Sequence, residues 1–512
     1  MKRLKEINAY LPLFIIIAIT AIIYFISFRN GHNWGGDFSQ YIAQAKGIAE
    51  GTIDKVVYYS NYRYNLSPSH VGPRLYPWGF PLLLSPVYYL FGLDIFAMKV
   101  YVSLFFLLSL LVIFLLFKDK LTYVQTLLLV TIFALNPYFF LFKDNVLSDI
   151  PFFFFSLFTI FLIQRIVINK RIWVNRFISY SLLGFFIFFS YYIRSQGILL
   201  IPTLLICQCI ANRDSFKQNF MSYLRSNKSD FIPYAVFLIF VGSSGVILPV
   251  GSSSYLEQFV GMSIKGIISN IYYYLILPSD FFGFLAASKV LYGITIPFAV
   301  LGIIKNIKRD YLYLVYMIFT ITLFIFWPGR QGLRFIFSVL PFYIYFLFVG
   351  LSKISISEFI PVKYNPLNWN LIHIFCIVII LGSCAGIFYI NCHYSNQLYF
   401  FNDEPNVMEG PYTEESIEMF NYISTNTLND DVIIFRKPRV MTLYTNRRAI
   451  LVTGFDQIIS SNATYIVTGC KELLSAYKPL IEPSVIQDHE ESFKLVFQND
   501  DYKVYRIVRN SS

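Results

Sequence analysis

Long apolar stretches, separated by short polar and basic segments, fill the chain from its start to about residue 392. A helix that crosses a lipid bilayer needs about 20 mainly apolar residues. Eleven stretches meet this requirement and predict a bundle of membrane-spanning helices. They are residues 11–28, 95–117, 122–142, 150–168, 177–193, 196–212, 231–249, 284–304, 311–327, 333–351 and 370–391. The apolar segment 79–92 is shorter and contains two prolines, so we expect it to re-enter the membrane or to lie at its surface.

The pattern changes from about residue 393 onward. The segment YTEESIEMFNYIST predicts an amphipathic helix that is capped by Thr413. The short segments DVIIF, YIVT, KLVFQ and KVYRIV predict strands, and the last two form a hairpin that turns at Asn499–Asp501. The predicted fold class is an α-helical polytopic membrane protein with a small C-terminal α/β domain. The predicted domains are a transmembrane domain, 1–392, with a long first outer loop, 29–78, and an extracytoplasmic domain, 393–512.

The composition supports a membrane protein. Of the 512 residues, 56% are hydrophobic and only 14% are charged, whereas soluble domains carry about 25% charged residues. The formal net charge of +11 comes largely from Lys and Arg at the ends of the apolar stretches. Because membrane orientation is encoded in this way, we expect the membrane, and not nucleic acid, to be the partner. The basic segments place the N-terminus inside, and an odd number of spans then places the C-terminal domain outside, which predicts an integral protein of a bacterial inner (plasma) membrane.

Unusual polar residues collect in the segments assigned to the outer face. Asp37 lies in the first outer loop, and Asp144 and Asp149 lie between the third and fourth spans. Four arginines are assigned to the same face: Arg74, Arg194, Arg330 and Arg334. Ionisable residues at membrane depth are costly and indicate function. Since a guanidinium matches phosphate oxygens and a carboxylate can accept a proton from an attacking hydroxyl, this set suits transfer from a phosphate-linked donor.

Each of these residues also has a purely structural interpretation. Asp37 and Gln40 match an acidic capping box, and Asp149 can cap a helix that has Pro151 in its first turn. A single arginine at the interface is more often an anchor that reaches toward lipid headgroups. Four arginines together favour a binding role, because outer loops normally contain few basic residues.

Four segments resemble motifs of a known family, in the same order and on the same side of the membrane. GGDFSQYIAQAKGIAEG is similar to a first-loop motif in which an acid opens a helix beside the membrane, and RLYPWGFPLLLSPVYYLFG to the proline-rich segment that follows. KDNVLSDIPFFFFSLF is similar to a second acidic motif, and GLRFIFSVLPFYIYFLF to a late span that begins with an arginine. The chain thus resembles the polytopic glycosyltransferases of the GT-C superfamily, especially the branch that contains protein O-mannosyltransferases and the lipid A aminoarabinose transferase. The resemblance extends to the outer α/β domain.

This resemblance implies an inverting transfer of a sugar from a polyprenyl-phosphate donor to a lipid, glycan or protein acceptor outside the cytoplasm. In the family the first-loop acid is the catalytic base, which corresponds to Asp37. The second acidic motif corresponds to Asp149, with Asp144 as the weaker candidate. Arginines near the outer surface hold the donor phosphate in the family. The candidates for this role are Arg330 and Arg334, followed by Arg194 and Arg74.

The residues predict no metal site. The six cysteines have no metal-ligand spacing. Some members of the resembled superfamily carry paired acids in the first loop and use a divalent metal. Here Asp37 is preceded by glycines and followed by Phe38 and Ser39, which argues against such a pair and leaves metal dependence open.

Two other classes of function share parts of this pattern. A transporter or flippase for a lipid or an anionic solute would use the arginines to bind its substrate without making a bond. Such a protein should show internal repeats and polar residues near the middle of the bilayer, and neither is visible in the sequence. A polysaccharide polymerase or ligase also uses lipid-linked substrates. The helix that begins near Asp37 favours the transferase.

Overall fold

The computed structural model describes residues 2–67, 72–173, 175–213, 227–249, 262–283, 287–352, 371–402, 406–469 and 483–509. Helices form most of the first 393 residues. They are α1 (Lys2–Ile26), α2 (Gly36–Glu50), α3 (Ile53–Leu66), α4 (Gly79–Phe91), α5 (Ile95–Phe117), α6 (Tyr123–Ala134), α7 (Pro137–Phe142), α8 (Asp149–Leu162), α9 (Arg176–Ile193), α10 (Leu200–Ala211), α11 (Ile232–Ile247), α12 (Ile264–Ile276), α13 (Ala287–Ile325), α14 (Leu340–Leu351) and α15 (Leu371–His393).

Each of the eleven predicted stretches is mainly helical where the structure describes it. Seven helical segments among the described residues are long and apolar enough to cross a membrane. They are Ile95–Phe117, Asp149–Ile168, Arg176–Ile193, Lys228–Ile247, Ala287–Ile325, Gly332–Leu351 and Leu371–His393. Four further apolar helices are shorter: Tyr10–Ile26, Gly79–Phe91, Tyr123–Ala134 and Ser195–Ala211. The polytopic fold class is therefore confirmed.

Three details differ from the sequence prediction. The stretch 122–142 is divided into α6 and α7, because Asn136 caps a new helix whose first residue is Pro137. The stretches 284–304 and 311–327 are joined in α13, which turns at Asp310, where the backbone leaves helical geometry (φ −115°, ψ 25°). Helix α12 was not predicted, although its composition is also apolar.

Two glycines bring α13 and α14 into close contact. A Cβ atom at Gly302 would lie 1.9 Å from the carbonyl oxygen of Phe346, and one at Gly350 would lie 1.9 Å from that of Phe298. Small residues at such a crossing allow the backbones of two apolar helices to approach. Helix α14 directly follows the 3-10 helix Gly332–Val339, which contains Arg334. The contact with α13 therefore helps to position Arg334.

The first outer loop folds into helices that lie against the bundle. Helix α2 packs on α4, with the rings of Tyr41 and Phe80 in edge-to-face contact at 5.0 Å. Segment 79–92 forms α4 with Pro81 in its first turn, where an N–H group is not required, and with Pro86 inside the helix. Gly79 lies directly against the backbone of Tyr192, where a Cβ atom would be 2.5 Å away. These contacts hold the loop firmly beside α9.

The C-terminal region contains the predicted helix, further short helices and a sheet of five strands. Helix α16 (Glu414–Asn426) begins after Thr413, whose Oγ1 accepts a hydrogen bond from the Ser416 amide at 3.3 Å. Helix α17 is Pro438–Thr445, and two short helices are α18 (Phe455–Ser460) and α19 (Pro483–Gln487). The strands are β1 (Val432–Ile434), β2 (Arg448–Ile450), β3 (Tyr465–Gly469), β4 (Phe493–Gln498) and β5 (Tyr502–Ile507).

The sheet is mixed, with the order β2-β1-β3-β5-β4. Strand β1 is parallel to β2 and to β3, while β5 is antiparallel to β3 and to β4. The predicted hairpin and the four predicted strands are confirmed, whereas the three-residue β2 was missed. The predicted domain boundary after residue 392 stays a prediction; α15 ends at His393.

The C-terminal region packs directly on the first outer loop. Helix α17 lies against α2, and β2 lies against α3. Gly410 comes so close to the loop that a Cβ atom there would lie 1.8 Å from the carbonyl oxygen of His32. This packing places the first turn of α17 beside the start of α2, where Asp37 is located.

Candidate active site

Asp37 lies in the first turn of α2 and is in contact with three polar side chains. The phenol of Tyr76 donates a hydrogen bond to its Oδ1 at 2.6 Å. Arg334 Nη2 donates to its Oδ2 at 3.2 Å, and Arg439 Nη1 lies 3.6 Å from its Oδ1. The Asp37 side chain is 34% exposed, so a substrate has access to a carboxylate that is otherwise held by these partners.

The capping interpretation of Asp37 is wrong. Helix α2 begins at Gly36, with Gly35 as its N-cap. Gln40, the other half of the expected capping box, accepts a hydrogen bond from Arg63 at 2.7 Å and donates to Ser60 at 3.2 Å. Both side chains of the motif therefore have tertiary partners instead of capping the helix.

Arg334 connects Asp37 to the second predicted acid. Its Nε lies 3.8 Å from Asp149 Oδ1, and the same oxygen is 2.6 Å from Arg194 Nη1. The Asp149 side chain is only 2% exposed. The four side chains thus alternate in charge along a row: Asp37, Arg334, Asp149 and Arg194. The structure brings together four residues that the sequence had placed on one face.

Asp149 is the first residue of α8, and its carboxylate is turned toward these arginines. The N-cap is Ser148, whose hydroxyl is 2.8 Å from the phenol of Tyr41 and accepts a hydrogen bond from Arg194 at 3.4 Å. The Asp149 carboxylate is in ion-pair contact with the guanidinium groups of Arg194 and Arg334.

The pKa of Asp37 is set by opposing effects. Burial raises the pKa of this carboxyl, but the charge of Arg439, the hydrogen bond from Tyr76 and the charge of Arg334 outweigh it and lower the pKa below 3.8. Burial also raises the pKa of Tyr76 well above 10.0. The phenol therefore stays protonated and donates a hydrogen bond to the carboxylate. Asp37 is therefore ionised and can accept a proton only when these donors give way.

Two residues of the site were not identified from the sequence. Tyr76 lies within RLYPWGF, a segment that was quoted for its prolines. Arg439 lies in the first turn of α17, in the basic sequence RKPRV of the C-terminal region. It is 3% exposed, and its Nη2 donates to the carbonyl oxygen of Pro73 at 2.7 Å. The signal for Arg439 was this basic run at a helix start, but the sequence did not indicate which surface it meets.

The structure places the other two predicted arginines elsewhere. Arg330 is exposed and donates hydrogen bonds to Asn270 at 2.8 Å and to Ser269 at 2.5 Å, both on α12. The backbone turns at Gly332, where φ is +70°, so Arg330 and Arg334 contact different parts of the molecule. The guanidinium of Arg74 stacks over the ring of another loop residue, Tyr64, at 4.5 Å. Phosphate binding by Arg330 and Arg74 stays a prediction.

Asp144, the weaker candidate, belongs to a separate cluster. Its carboxylate is fully buried and contacts three cations: Arg29 at 3.0 Å, Lys143 at 2.7 Å and Lys99 at 3.4 Å. Burial raises the pKa of this carboxyl, but the charges of Lys143, Lys99 and Arg29 lower it far below 3.8. The cluster joins α1, α5 and the segment that precedes α8.

The residues near Asp37 fit an anion better than a metal ion. Both carboxylates are already paired with guanidinium groups, and a divalent cation would have to displace these positive charges. Among the residues that the structure describes, no group of three or more His, Cys, Asp or Glu side chains is arranged to hold a metal.

Comparison with protein families gives one match. Residues 76–227 match the family described as dolichyl-phosphate-mannose-protein mannosyltransferase. This range begins at Tyr76 and includes Asp149 and Arg194, but it covers less than half of the chain. Among curated proteins, none matches the sequence.

The fold is similar to that of solved membrane glycosyltransferases. The apo structure of ArnT from Cupriavidus metallidurans aligns with a TM-score of 0.59 at 11% identity, over 97% of this chain and 98% of that one. The structure of the same protein bound to undecaprenyl phosphate gives a TM-score of 0.57 at 10% identity, over 97% of this chain and 98% of that one. The archaeal oligosaccharyltransferase AglB from Archaeoglobus fulgidus, in complex with an inhibitory peptide and a dolichol-phosphate, gives 0.54 at 10% identity over 90% of this chain and 70% of that one.

These similarities agree with the resemblance found in the sequence. The family model and both structural neighbours are GT-C glycosyltransferases, and the chain has the GT-C fold with a small C-terminal sheet domain. The superfamily resemblance and the predicted enzyme class are thereby confirmed, whereas the roles of single residues are a matter for proposal.

Proposed function

We propose that this protein transfers a sugar, with inversion, from a polyprenyl-phosphate donor to an acceptor hydroxyl on the extracytoplasmic side, with Asp37 as the general base. The observation that carries the proposal is the arrangement around Asp37. An ionised and partly exposed carboxylate lies between two arginines. Arg334 belongs to the segment before α14, and Arg439 belongs to α17 of the C-terminal region. A base and a phosphate clamp are thus adjacent.

The arginines around Asp37 can exchange one anion for another. A phosphate offers several oxygens to the planar guanidinium fork, so Arg334 and Arg439 have a better partner when the donor is bound than the single carboxylate gives them. Their movement toward the phosphate would remove the two charges that lower the pKa of Asp37. The carboxylate then becomes a stronger base when the donor is in place.

The transfer step balances with these groups. The acceptor oxygen attacks the anomeric carbon from the side opposite to the phosphate, and its proton passes to an Oδ of Asp37. The bond between the anomeric carbon and the phosphate oxygen breaks, and polyprenyl phosphate leaves with its negative charge stabilised by the arginines. Attack from the opposite side inverts the anomeric centre.

We assign a positioning role to Asp149. Its carboxylate is 2% exposed and is in ion-pair contact with Arg194, so it is not placed to receive a proton from a substrate. By holding Arg194 and Arg334 it orients two donors for the phosphate without itself touching the reacting atoms. Asp149→Asn should therefore reduce transfer less than Asp37→Asn does.

The comparisons support a lipid-linked donor. ArnT was solved with undecaprenyl phosphate and AglB with a dolichol-phosphate, and the matched family is described by a dolichyl-phosphate sugar. For this chain we propose a polyprenyl-phosphate donor, a location in the bacterial inner membrane with the site outside, and a lipid, glycan or protein acceptor.

The experiment is incubation of the purified protein in lipid with a panel of polyprenyl-phosphate sugars. We expect release of polyprenyl phosphate with at least one sugar, and release about 10²- to 10⁴-fold slower with Asp37→Asn. A transporter or flippase would instead move an intact donor between leaflets of a vesicle without cleaving it. Such movement in the absence of any cleavage would overturn the proposal.

A further inference from the structure

A cavity with basic side chains in its lining lies between α2, α3 and α17, next to the candidate active site. Its volume is about 140 Å³. Four basic side chains line it, namely Lys46, Lys55, Arg63 and Arg439. The one acidic side chain of its lining is Glu50, which accepts a hydrogen bond from Tyr88 at 3.2 Å. The lining therefore carries an excess of positive charge.

Arg63 is the most deeply buried of these cations. It is 4% exposed, and its Nη2 donates to Gln40 Oε1 at 2.7 Å and to Ser60 Oγ at 3.4 Å. Both partners are neutral. Within the described parts of the chain, no carboxylate forms an ion pair with its guanidinium. A buried charge without an opposite charge is costly, and this cost needs an explanation.

The neighbouring Arg439 increases that cost. Burial and the like charge of Arg439 both lower the pKa of Arg63. Arg439 also lies 3.6 Å from Asp37, so a single side chain lines the cavity and contacts the proposed base. An anion in the cavity would neutralise the charge of Arg63. Only the side chain of Arg439 would then separate this anion from Asp37.

Helical spacing builds the basic wall from two directions. Tyr59 and Ser60 lie four and three residues before Arg63 on α3, and Gln40, Ala43 and Lys46 are three apart on α2, so each set lies on one face of its helix. The C-terminal region closes the third side with Arg439 and Thr442 of α17. The cavity exists only because the two parts of the chain pack together.

We propose that this cavity binds an anionic group, a phosphate or a carboxylate, that is carried by the acceptor. The inference rests on the proposed function. A volume of 140 Å³ holds a group of a few heavy atoms, since a water in the liquid takes about 30 Å³. The four cationic side chains in its lining favour an anion over the uncharged chain of a polyprenyl group. The acceptor would enter with its anionic group on Arg63 and its hydroxyl beside Asp37, and the C-terminal region would select the acceptor.

The first test uses inorganic phosphate as the probe and the full-length protein in phosphatidylcholine nanodiscs, with binding measured by calorimetry. Arg63→Gln should weaken phosphate binding by roughly tenfold or more, because a charge-assisted hydrogen bond is lost. Arg506→Gln, which removes an exposed arginine from β5, is the matched control and should bind phosphate like the wild type. Equal affinity in Arg63→Gln and the wild type would overturn the proposal.

A second variant guards against a folding defect. Thr442→Glu places a carboxylate in the wall of the cavity and leaves Arg63 in place. We expect it to keep or raise the thermal unfolding temperature, because it supplies the missing opposite charge, and to abolish phosphate binding. Phosphate binding at the wild-type affinity in a folded Thr442→Glu protein would show that the ion binds elsewhere and would contradict the proposal.

Three further measurements identify the source of the anion. Undecaprenyl phosphate should bind Arg63→Gln as it binds the wild type, and a parallel loss would assign the cavity to the donor. Phosphatidylglycerol in the nanodisc should not displace inorganic phosphate, and displacement would assign the cavity to a lipid headgroup.

Among hydroxyl acceptors that differ only by a phosphate or carboxylate, the wild type should prefer the anionic ones and Arg63→Gln should lose this preference. Either alternative assignment, or an unchanged preference, would overturn the proposal.

Failure of the proposed function has a different signature. In that case the wild type releases no polyprenyl phosphate from any donor, whatever its affinity for inorganic phosphate. Loss of phosphate binding in Arg63→Gln would then still establish an anion site, while its assignment to a glycosyl acceptor would be wrong.

Discussion

Two acidic clusters at the same end of the molecule show opposite designs. Asp144 is fully buried, and Arg29, Lys99 and Lys143 surround its single carboxylate. Asp37 is 34% exposed, and its partner Arg334 also contacts a second acid. In the first cluster three cations surround a carboxylate that is closed to solvent, whereas in the second the carboxylate is partly exposed and shares Arg334 with another acid.

This difference separates a structural acid from a reactive one. The Asp144 cluster fixes the backbone of Arg29, whose amide donates to the carboxylate at 3.0 Å, and thereby ties the end of α1 to the segment before α8. Two of its cations, Arg29 and Lys99, line a cavity of about 410 Å³, but the Asp144 carboxylate itself is fully buried. The partners of Asp37 can leave it for another anion, because each has a second interaction that keeps it nearby: Arg334 with Asp149 at 3.8 Å, and Arg439 with Pro73 at 2.7 Å.

The largest effect on stability is expected for Asp144→Asn. Removal of one charge from a buried cluster leaves the opposite charges uncompensated, which typically costs about 3–5 kcal/mol. Thermal or denaturant unfolding in detergent measures this loss. Asp119→Asn is the control, because its side chain is 62% exposed in a weak ion pair with Arg171 and should change stability little. An Asp144→Asn protein as stable as the control would mean that the cluster does not hold the fold.

The same cluster predicts the response of stability to acid. The folded-state pKa of Asp144 is far below 3.8, so as the pH falls the unfolded chain takes up its proton first. The stabilisation is present above about pH 4 and is lost as the pH falls below that value toward the folded-state pKa. The acid limb of the stability curve should flatten in Asp144→Asn. An unchanged acid limb would indicate that other groups control unfolding in acid.

The next effect concerns the cation that the two acids share. Arg334→Lys replaces a planar fork by a point charge, and the loss of a charge-assisted hydrogen bond costs about 1.5–3 kcal/mol, or roughly 10- to 150-fold in donor affinity. Binding of a polyprenyl-phosphate donor to the purified variant measures it. Arg330→Lys should have a smaller effect, because Arg330 contacts α12 instead. Unchanged affinity in both variants would return these arginines to the role of interface anchors.

The smallest effect is expected for Tyr76→Phe. The phenol donates to the ionised form of Asp37 and thus lowers the pKa of the carboxyl. Its removal should raise that pKa and shift the acid limb of the pH–rate profile to higher pH. Tyr58→Phe, which removes an exposed phenol that accepts a hydrogen bond from Arg448 at 3.3 Å, is the control. A profile that does not move would exclude Tyr76 as a partner of the base.

The sequence predicted what depends on local pattern. Apolar length identified the spans, and alternation identified four of the five strands. The outer arginine and acid segments brought Asp37, Asp149, Arg194 and Arg334 to one face, because side assignment follows from counting helices and basic loops. The first-loop helix was also recognised, although its acid is not a cap.

The sequence did not predict what depends on long-range packing. Arg439 reaches Asp37 from about 400 positions along the chain, and only the docking of α17 on α2 decides this contact. Arg330 and Arg334 are four positions apart and were assigned the same role, but a turn at Gly332 sends them to different neighbours. The sequence did not indicate that Arg63 belongs to a binding site. Its guanidinium is notable because its described hydrogen-bond partners, Gln40 and Ser60, are neutral, and such partners are known only from the folded structure.

The central claim is that Asp37 is the base and that its cluster is reactive. The most direct test is single-turnover sugar transfer by Asp37→Asn, with donor binding and thermal unfolding measured on the same preparation. Asn keeps the shape of the side chain but cannot accept the proton, so we predict a folded protein that binds the donor and transfers about 10²- to 10⁴-fold more slowly. Transfer at close to the wild-type rate would contradict the account and show that the carboxylate of Asp37 takes no part in the chemistry.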